Sequence, residues 1–164
     1  MRFCWQRNRS MDKFVFSGES IAPQLTDAIS AGGRIWLVVT GSSMKPFLKH
    51  GRDMVCLRAW NEEDVKIGQI LLFQRPNRSL VLHRIRKRLP DGTLLMNGDA
   101  QAWSEPISTK QILAVVSSVQ QNGRYMDCNS FLLWLWNWLW YPTRPVRPIL
   151  FKVWRILFRR KGGV

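Results

Sequence analysis

The chain has 164 residues, 46% of them hydrophobic, and its 25 Lys and Arg against 11 Asp and Glu give a formal net charge of +14. This length supports one modest core, the hydrophobic share excludes a wholly disordered chain, and the basic excess favours an anionic partner, either nucleic acid or a membrane face. Cys4, Cys56 and Cys128 are far apart with no metal-ligand spacing. Their odd number argues against a disulfide scaffold, so reduced thiols, no metal and no cofactor are expected.

Residues 1–18 read as a flexible basic lead. Arg2, Arg7 and Arg9 precede no apolar run of seven or more residues, so neither a cleavable signal peptide nor an N-terminal transmembrane helix is expected. From Glu19 to Ser30, Ile21, Leu25, Ala28 and Ile29 recur at helical spacing, and Gly32-Gly33 supplies a stop; a short amphipathic helix is predicted. The period then changes. Arg34–Thr40, Met54–Trp60, Gln69–Gln74, Leu80–Leu89, Thr93–Asn97 and Ile107–Gln120 are short runs rich in Val, Ile, Leu and Phe, punctuated by Gly, Pro, Asn and Asp. This predicts a mainly β fold, with Pro90-Asp91-Gly92 as a hairpin turn. The β domain is expected over 19–124.

The tail, 125–164, changes character again. Cys128 to Thr143 carries no charge, and its centre, Phe131–Tyr141, is apolar over 11 residues, about half the ~20 needed to span a bilayer as a helix. Trp134, Trp136, Trp138 and Trp140 crowd this stretch. Pro142, Pro145 and Pro148 then interrupt it, and after the apolar stretch come Arg144, Arg147, Lys152, Arg155, Arg159, Arg160 and Lys161 with no acid among them. Residues 128–161 are therefore expected to lie on a membrane surface, with indoles at headgroup depth and cations on phosphates. The protein would be membrane-associated, peripheral or monotopic, on an unassigned side. The competing reading is a C-terminal helix packed on the domain's own sheet.

Three phrases carry chemistry: Gly41-Ser42-Ser43-Met44-Lys45-Pro46, then Leu82-His83-Arg84-Ile85, then Asn97-Gly98-Asp99. A serine hydroxyl is a poor nucleophile until a neighbour takes its proton, and an imidazole of ordinary pKa near 6.5 can accept that proton and return it. A carboxylate on the second ring nitrogen fixes the tautomer and stabilises the imidazolium. Ser43, His83 and Asp99 are the candidates for these roles. His50 is the rival base, and its surroundings, Lys49-His50-Gly51-Arg52, read as an exposed basic turn. Lys87 is the candidate for a Ser-Lys dyad, but on a strand it would sit ~13 Å along from His83.

In this order the phrases resemble the signal peptidase I family of serine peptidases, specifically the endoplasmic-reticulum and archaeal branch. That branch has a Ser-Met-x-Pro serine, His-Arg in place of a lysine base, and a following Gly-Asp. The resemblance covers roughly Ile35 to Val119. It implies a compact coiled β-sheet domain of the signal peptidase and LexA peptidase type, here with a short N-terminal helix and C-terminal helices. The sequence departs at Gly68-Gln69, where the family usually has Gly-Asp, and at Gly41, where the bacterial branch carries an oxyanion-binding hydroxyl. That shifts oxyanion binding to the Ser43 amide, with Ser42 as a helper. Glu105, six residues past Asp99, stands where the branch has a second acid, and is a supporting candidate. Met44, Ile35 and Leu37 are expected to line a pocket that, by the resemblance, accepts small side chains.

The expected function is a serine endopeptidase cleaving a precursor or signal peptide, with Ser43 as nucleophile and His83 as general base. The alternatives are a LexA-like regulatory or nucleic-acid-binding protein and a non-catalytic relative. Nucleic acid is disfavoured, because no helix-turn-helix precedes the peptidase portion and the basic residues gather beside the Trp-rich tail.

Overall fold

Helix α1 runs from Gly18 to Ser30 and stops at the glycine pair. Gly32 takes φ +82° and Gly33 donates to the Ala28 carbonyl at 3.1 Å, which closes the last turn with a residue conformation that glycine adopts without strain. A Cβ on Gly33 would lie 2.6 Å from that carbonyl oxygen. The buried face of the helix includes Ala22, Leu25 and Ile29. Ala28, expected on that face, is exposed, because it stands one position from the Leu25–Ile29 line that meets the sheet. In this computed structural model the described residues are 18–128, together with Leu139 and Lys152.

The strands are β1 (Ile35–Val38), β2 (Met54–Arg58), β3 (Ile70–Gln74), β4 (Leu80–Arg88), β5 (Leu94–Asn97), β6 (Glu105–Ile107), β7 (Ile112–Gln121) and β8 (Arg124–Asp127). They form one antiparallel sheet in the order β1-β2-β7-β3-β4-β5-β6, with β8 paired to β7. The fold is thus mainly β with one helix among the described residues. The predicted turn at Pro90-Asp91-Gly92 joins β4 to β5, with Gly92 at φ +83° and the Leu89 amide donating to Thr93.

Two expectations are corrected. The single strand expected over 107–120 is broken, because Ser108 and Gln111 form a reciprocal capping box around a 3-10 turn at Thr109–Gln111; such side chains offer the backbone an alternative to the ladder. The expected boundary at residue 124 falls inside the sheet. Asn122 (φ +49°) and Gly123 (φ +77°) turn the chain into β8, which pairs with β7 from Gln121–Arg124 to Ser118–Asp127. The Asn-Gly dipeptide is a strong hairpin signal. The expected C-terminal helices, the lead 1–17 and the tail from 129 onward lie outside the described residues, apart from the two isolated positions.

Two apolar clusters follow from the two faces of the sheet. One gathers Leu25, Ile29, Met44, Phe47, Leu48, Val55, Leu57, Ile70, Val116 and Val119, with Ile35, Leu37, Leu80 and Leu82 against it. The other gathers Leu71, Phe73, Ile85, Leu94, Met96, Ile107 and Val115, with Val81 against it. Strand β4 therefore sends Leu80 and Leu82 to the first cluster and Val81 and Ile85 to the second, as a period of two requires. That alternation decides the site.

Candidate active site

His83 continues the face of Val81 and Ile85. It is 1% exposed, pairs with Leu71 in the register of β3 and β4, and has its ring near Phe73. Arg84, the next residue, points to the opposite face and lies over the Phe47 ring at 4.4 Å. The two arginines of that face, Arg84 and Arg86, both reach Asp99: Arg84 Nε is 3.0 Å from each carboxylate oxygen and Arg86 Nη2 is 2.9 Å from Oδ1. Asp99 is fully buried.

The expectation that Asp99 holds the histidine is therefore corrected. Adjacent residues on a strand face opposite ways, and the Asp99 carboxylate is engaged by Arg84 and Arg86 while its charge still acts on the imidazole. The acid on the histidine's side is Glu105, from β6: its Oε1 lies 2.9 Å from His83 Nδ1. The contact is at ion-pair distance but lacks in-line hydrogen-bond geometry. Glu105 is itself gripped by Arg75, just past β3, through two hydrogen bonds of 2.7 Å. Arg75 is a site residue that the sequence reasoning missed, since an arginine before a proline carries no signal of its own.

Burial dominates the electrostatics of His83 and pushes its pKa down from 6.5 to about 4, with Glu105 pulling it up and Arg75 pushing it further down. The imidazole is neutral at pH 7. For Glu105, burial favours the protonated form, but Arg75 and His83 outweigh it and hold the carboxyl below its usual range. Removing charged groups from water disfavours their ionised forms, whereas opposite charges restore them.

Ser43 reaches this histidine through the third phrase. The Ala100 amide donates to the Ser43 carbonyl at 2.8 Å, docking the turn after β5 beneath the serine. Gly98 is squeezed at the junction: a Cβ there would stand 2.6 Å from the Ser43 carbonyl oxygen, 2.8 Å from Gln101 Oε1 and 2.9 Å from His83 Nε2. The glycine is thus required by close approach. Ser43 and His83 line one cleft of about 170 Å³ with Val39, Thr40, Met44, Arg75, Leu80, Val81, Leu82 and Gln101. Among the described residues no hydrogen bond is formed by the Ser43 hydroxyl, so Ser43 and His83 share the cleft without a direct bond; in serine enzymes such contacts commonly tighten only with substrate.

The remaining candidates sort by position. Met44 lines the cleft, whereas Ile35 and Leu37 face the first core cluster and do not. Their places are taken by Val39, Leu80 and Leu82. Ser42 is exposed and its carbonyl accepts from Lys45. His50 is exposed with its Nδ1 accepting from the Gly41 amide at 2.9 Å, and Lys87 is exposed and outside the cleft. Arg52 forks onto buried Asp53 at 2.6 and 2.9 Å and so braces the turn behind the serine. One more aromatic stands at the site: Trp103, half exposed, meets the His83 ring edge-on with centroids 6.5 Å apart. No group of His, Cys, Asp and Glu among the described residues is arranged to hold a metal ion. Compared with known protein families, curated proteins and solved structures, the chain matches none of them.

Proposed function

We propose that this chain is a serine endopeptidase resembling signal peptidase I, with Ser43 as nucleophile, His83 as general base and Glu105 in the orienting role. The observation that carries this is the shared cleft: a serine at a tight turn and a buried, neutral imidazole whose far nitrogen faces a carboxylate. In the reaction, Ser43 Oγ attacks the scissile carbonyl carbon and its proton passes to His83 Nε2. Glu105 stabilises the resulting imidazolium, and the Ser43 amide faces the developing oxyanion. Collapse of the tetrahedral intermediate breaks the C–N bond and returns the proton to the leaving amine. Water then attacks the acyl-enzyme by the same route and restores the serine.

The walls favour an extended peptide with small side chains. Strand β5 pairs with β4 only from Arg84 onward, so on that side the edge of Leu80–His83 has no strand partner among the described residues. It borders the cleft, which Val39 and Thr40 also line. A peptide lying there could add main-chain hydrogen bonds, with specificity left to shallow apolar pockets. The client we infer is a precursor or signal peptide delivered at a membrane surface, which the Trp-rich basic tail over 128–161 would bind. The sequence supports this part by composition alone.

The test is turnover of a quenched peptide bearing a small-x-small site. Ser43→Ala and His83→Ala should each abolish cleavage with the fold retained by circular dichroism, and His50→Gln should leave it within about twofold. Full activity in His83→Ala would overturn the base assignment. Absence of turnover in the unmodified chain would favour a non-catalytic relative.

A further inference from the structure

The cleft contains one charged wall residue that the proton-transfer chemistry does not use, Arg75. We propose that Arg75 is a positioning residue, whose guanidinium fork fixes the Glu105 carboxylate against His83 Nδ1 so that Nε2 is presented, unprotonated, to Ser43. This rests on the peptidase reading above. The geometry has three parts. Both carboxylate oxygens of Glu105 are taken by Arg75 at 2.7 Å, through Nε and Nη2. The same Oε1 that receives Nη2 lies 2.9 Å from His83 Nδ1. Arg75 itself lines the cleft beside His83 and Ser43.

A bidentate fork removes the freedom of a glutamate side chain to rotate away, which a single ammonium contact does not. The fork also matters because the Glu105–His83 contact is not an in-line hydrogen bond. The carboxylate is held in place by its other partner rather than by the histidine. A second effect follows from charge. The groups acting on His83 are Glu105 from β6, Arg75 from the end of β3 and Asp99 from the turn after β5, and Asp99 is matched on its own side by Arg84 and Arg86. Without Arg75, the Glu105 charge would act on the imidazole unopposed, and His83 would protonate at higher pH.

The experiment compares the unmodified chain with Arg75→Met and Arg75→Lys. It follows the imidazole carbon-bound protons of His83 by NMR over pH 3.5 to 8, with His50→Gln used to assign the two histidines. Peptide cleavage is measured on the same samples. Arg75→Met should move the His83 titration upward by about one unit and lower kcat by tenfold or more with KM little changed. Arg75→Lys should bring the titration back toward that of the unmodified chain and restore only part of kcat, since the charge returns without the fork. Unchanged titration in Arg75→Met, or full kcat in either variant, overturns the proposal. If Arg75→Met does not fold, Arg75→Lys decides alone: a kcat equal to that of the unmodified chain overturns the need for a fork. If the unmodified chain cleaves nothing, the peptidase reading fails by itself, while the titration still shows whether Arg75 acts on His83.

Discussion

A buried and a partly buried carboxylate six positions apart in sequence differ in their partners: Asp99 is held by Arg84 and Arg86, whereas Glu105 stands beside His83. Glu105→Gln keeps the shape of the side chain but removes the charge beside His83. It should lower kcat by about 10²-fold or more with the unfolding midpoint little moved. Asp99→Asn removes the carboxylate charge that Arg84 and Arg86, both nearly fully buried, share. Breaking a buried pair in this way costs about 3–5 kcal/mol, a large part of a domain's total stability of about 5–15 kcal/mol. Its first effect should therefore be on urea denaturation, and activity should be lost through unfolding. A stable but slow Asp99→Asn would reverse the two assignments. Acid stability provides a separate check on His83. Its pKa is about 4 in the fold and about 6.5 in the unfolded chain, so unfolding takes up a proton between these values. The stabilisation is complete above pH 6.5 and is lost as pH falls from 6.5 to 4, amounting to about 3 kcal/mol. Urea midpoints should decline across that window, and His83→Gln should flatten the decline. A flat profile in the unmodified chain would contradict the depressed value.

At the scale of elements, the site depends on one close approach between the end of β5 and the serine turn. Gly98→Ala would drive a methyl group into the Ser43 carbonyl, which is backbone and cannot swing aside. The Ser43 turn must then move away from His83. A loss of about 1–3 kcal/mol is expected from the overpacking, with cleavage reduced at least 10²-fold because catalytic geometry tolerates little displacement. Gly92→Ala, in the distant β4–β5 turn at positive φ with open space around it, is the control: it should lower stability without a comparable loss of kcat. Equal activity losses in the two variants would mean that Gly98 acts through global stability alone.

For the whole molecule, the peptidase proposal requires that a basic domain with a Trp-rich tail be brought to a peptide substrate. No helix among the described residues is long and apolar enough to cross a membrane. If residues 128–161 bind a membrane surface, each cation near anionic lipid adds on the order of 1 kcal/mol and the indoles add apolar burial at about 25 cal/mol per Å². Sedimentation with liposomes should then require anionic lipid and weaken, without vanishing, as salt screens the charges. Replacing Trp134, Trp136, Trp138 and Trp140 with Ser should release the protein while cleavage of a soluble peptide stays within about twofold. Loss of the β domain's cooperative unfolding in that variant would instead mean that the tail is packed structure.

The helix, its glycine stop, the strand runs and the Pro90-Asp91-Gly92 hairpin were legible because each is set locally, by period, by backbone freedom at glycine and by the fixed φ of proline. The serine and histidine phrases were legible too, since a tight turn and an apolar strand write themselves into consecutive residues. The partner of His83 was not. Choosing between Asp99 and Glu105 depends on which face of β4 each acid meets, and that is fixed by strand pairing across the sheet rather than by spacing along the chain. The same holds for Arg75, which is 30 positions from Glu105 and meets it only because the end of β3 lies beside the start of β6. Ile35 and Leu37 gave way to Leu80 and Leu82 for the corresponding reason: all four are apolar and pack against the same cluster, and only the fold decides which of them also border the cleft.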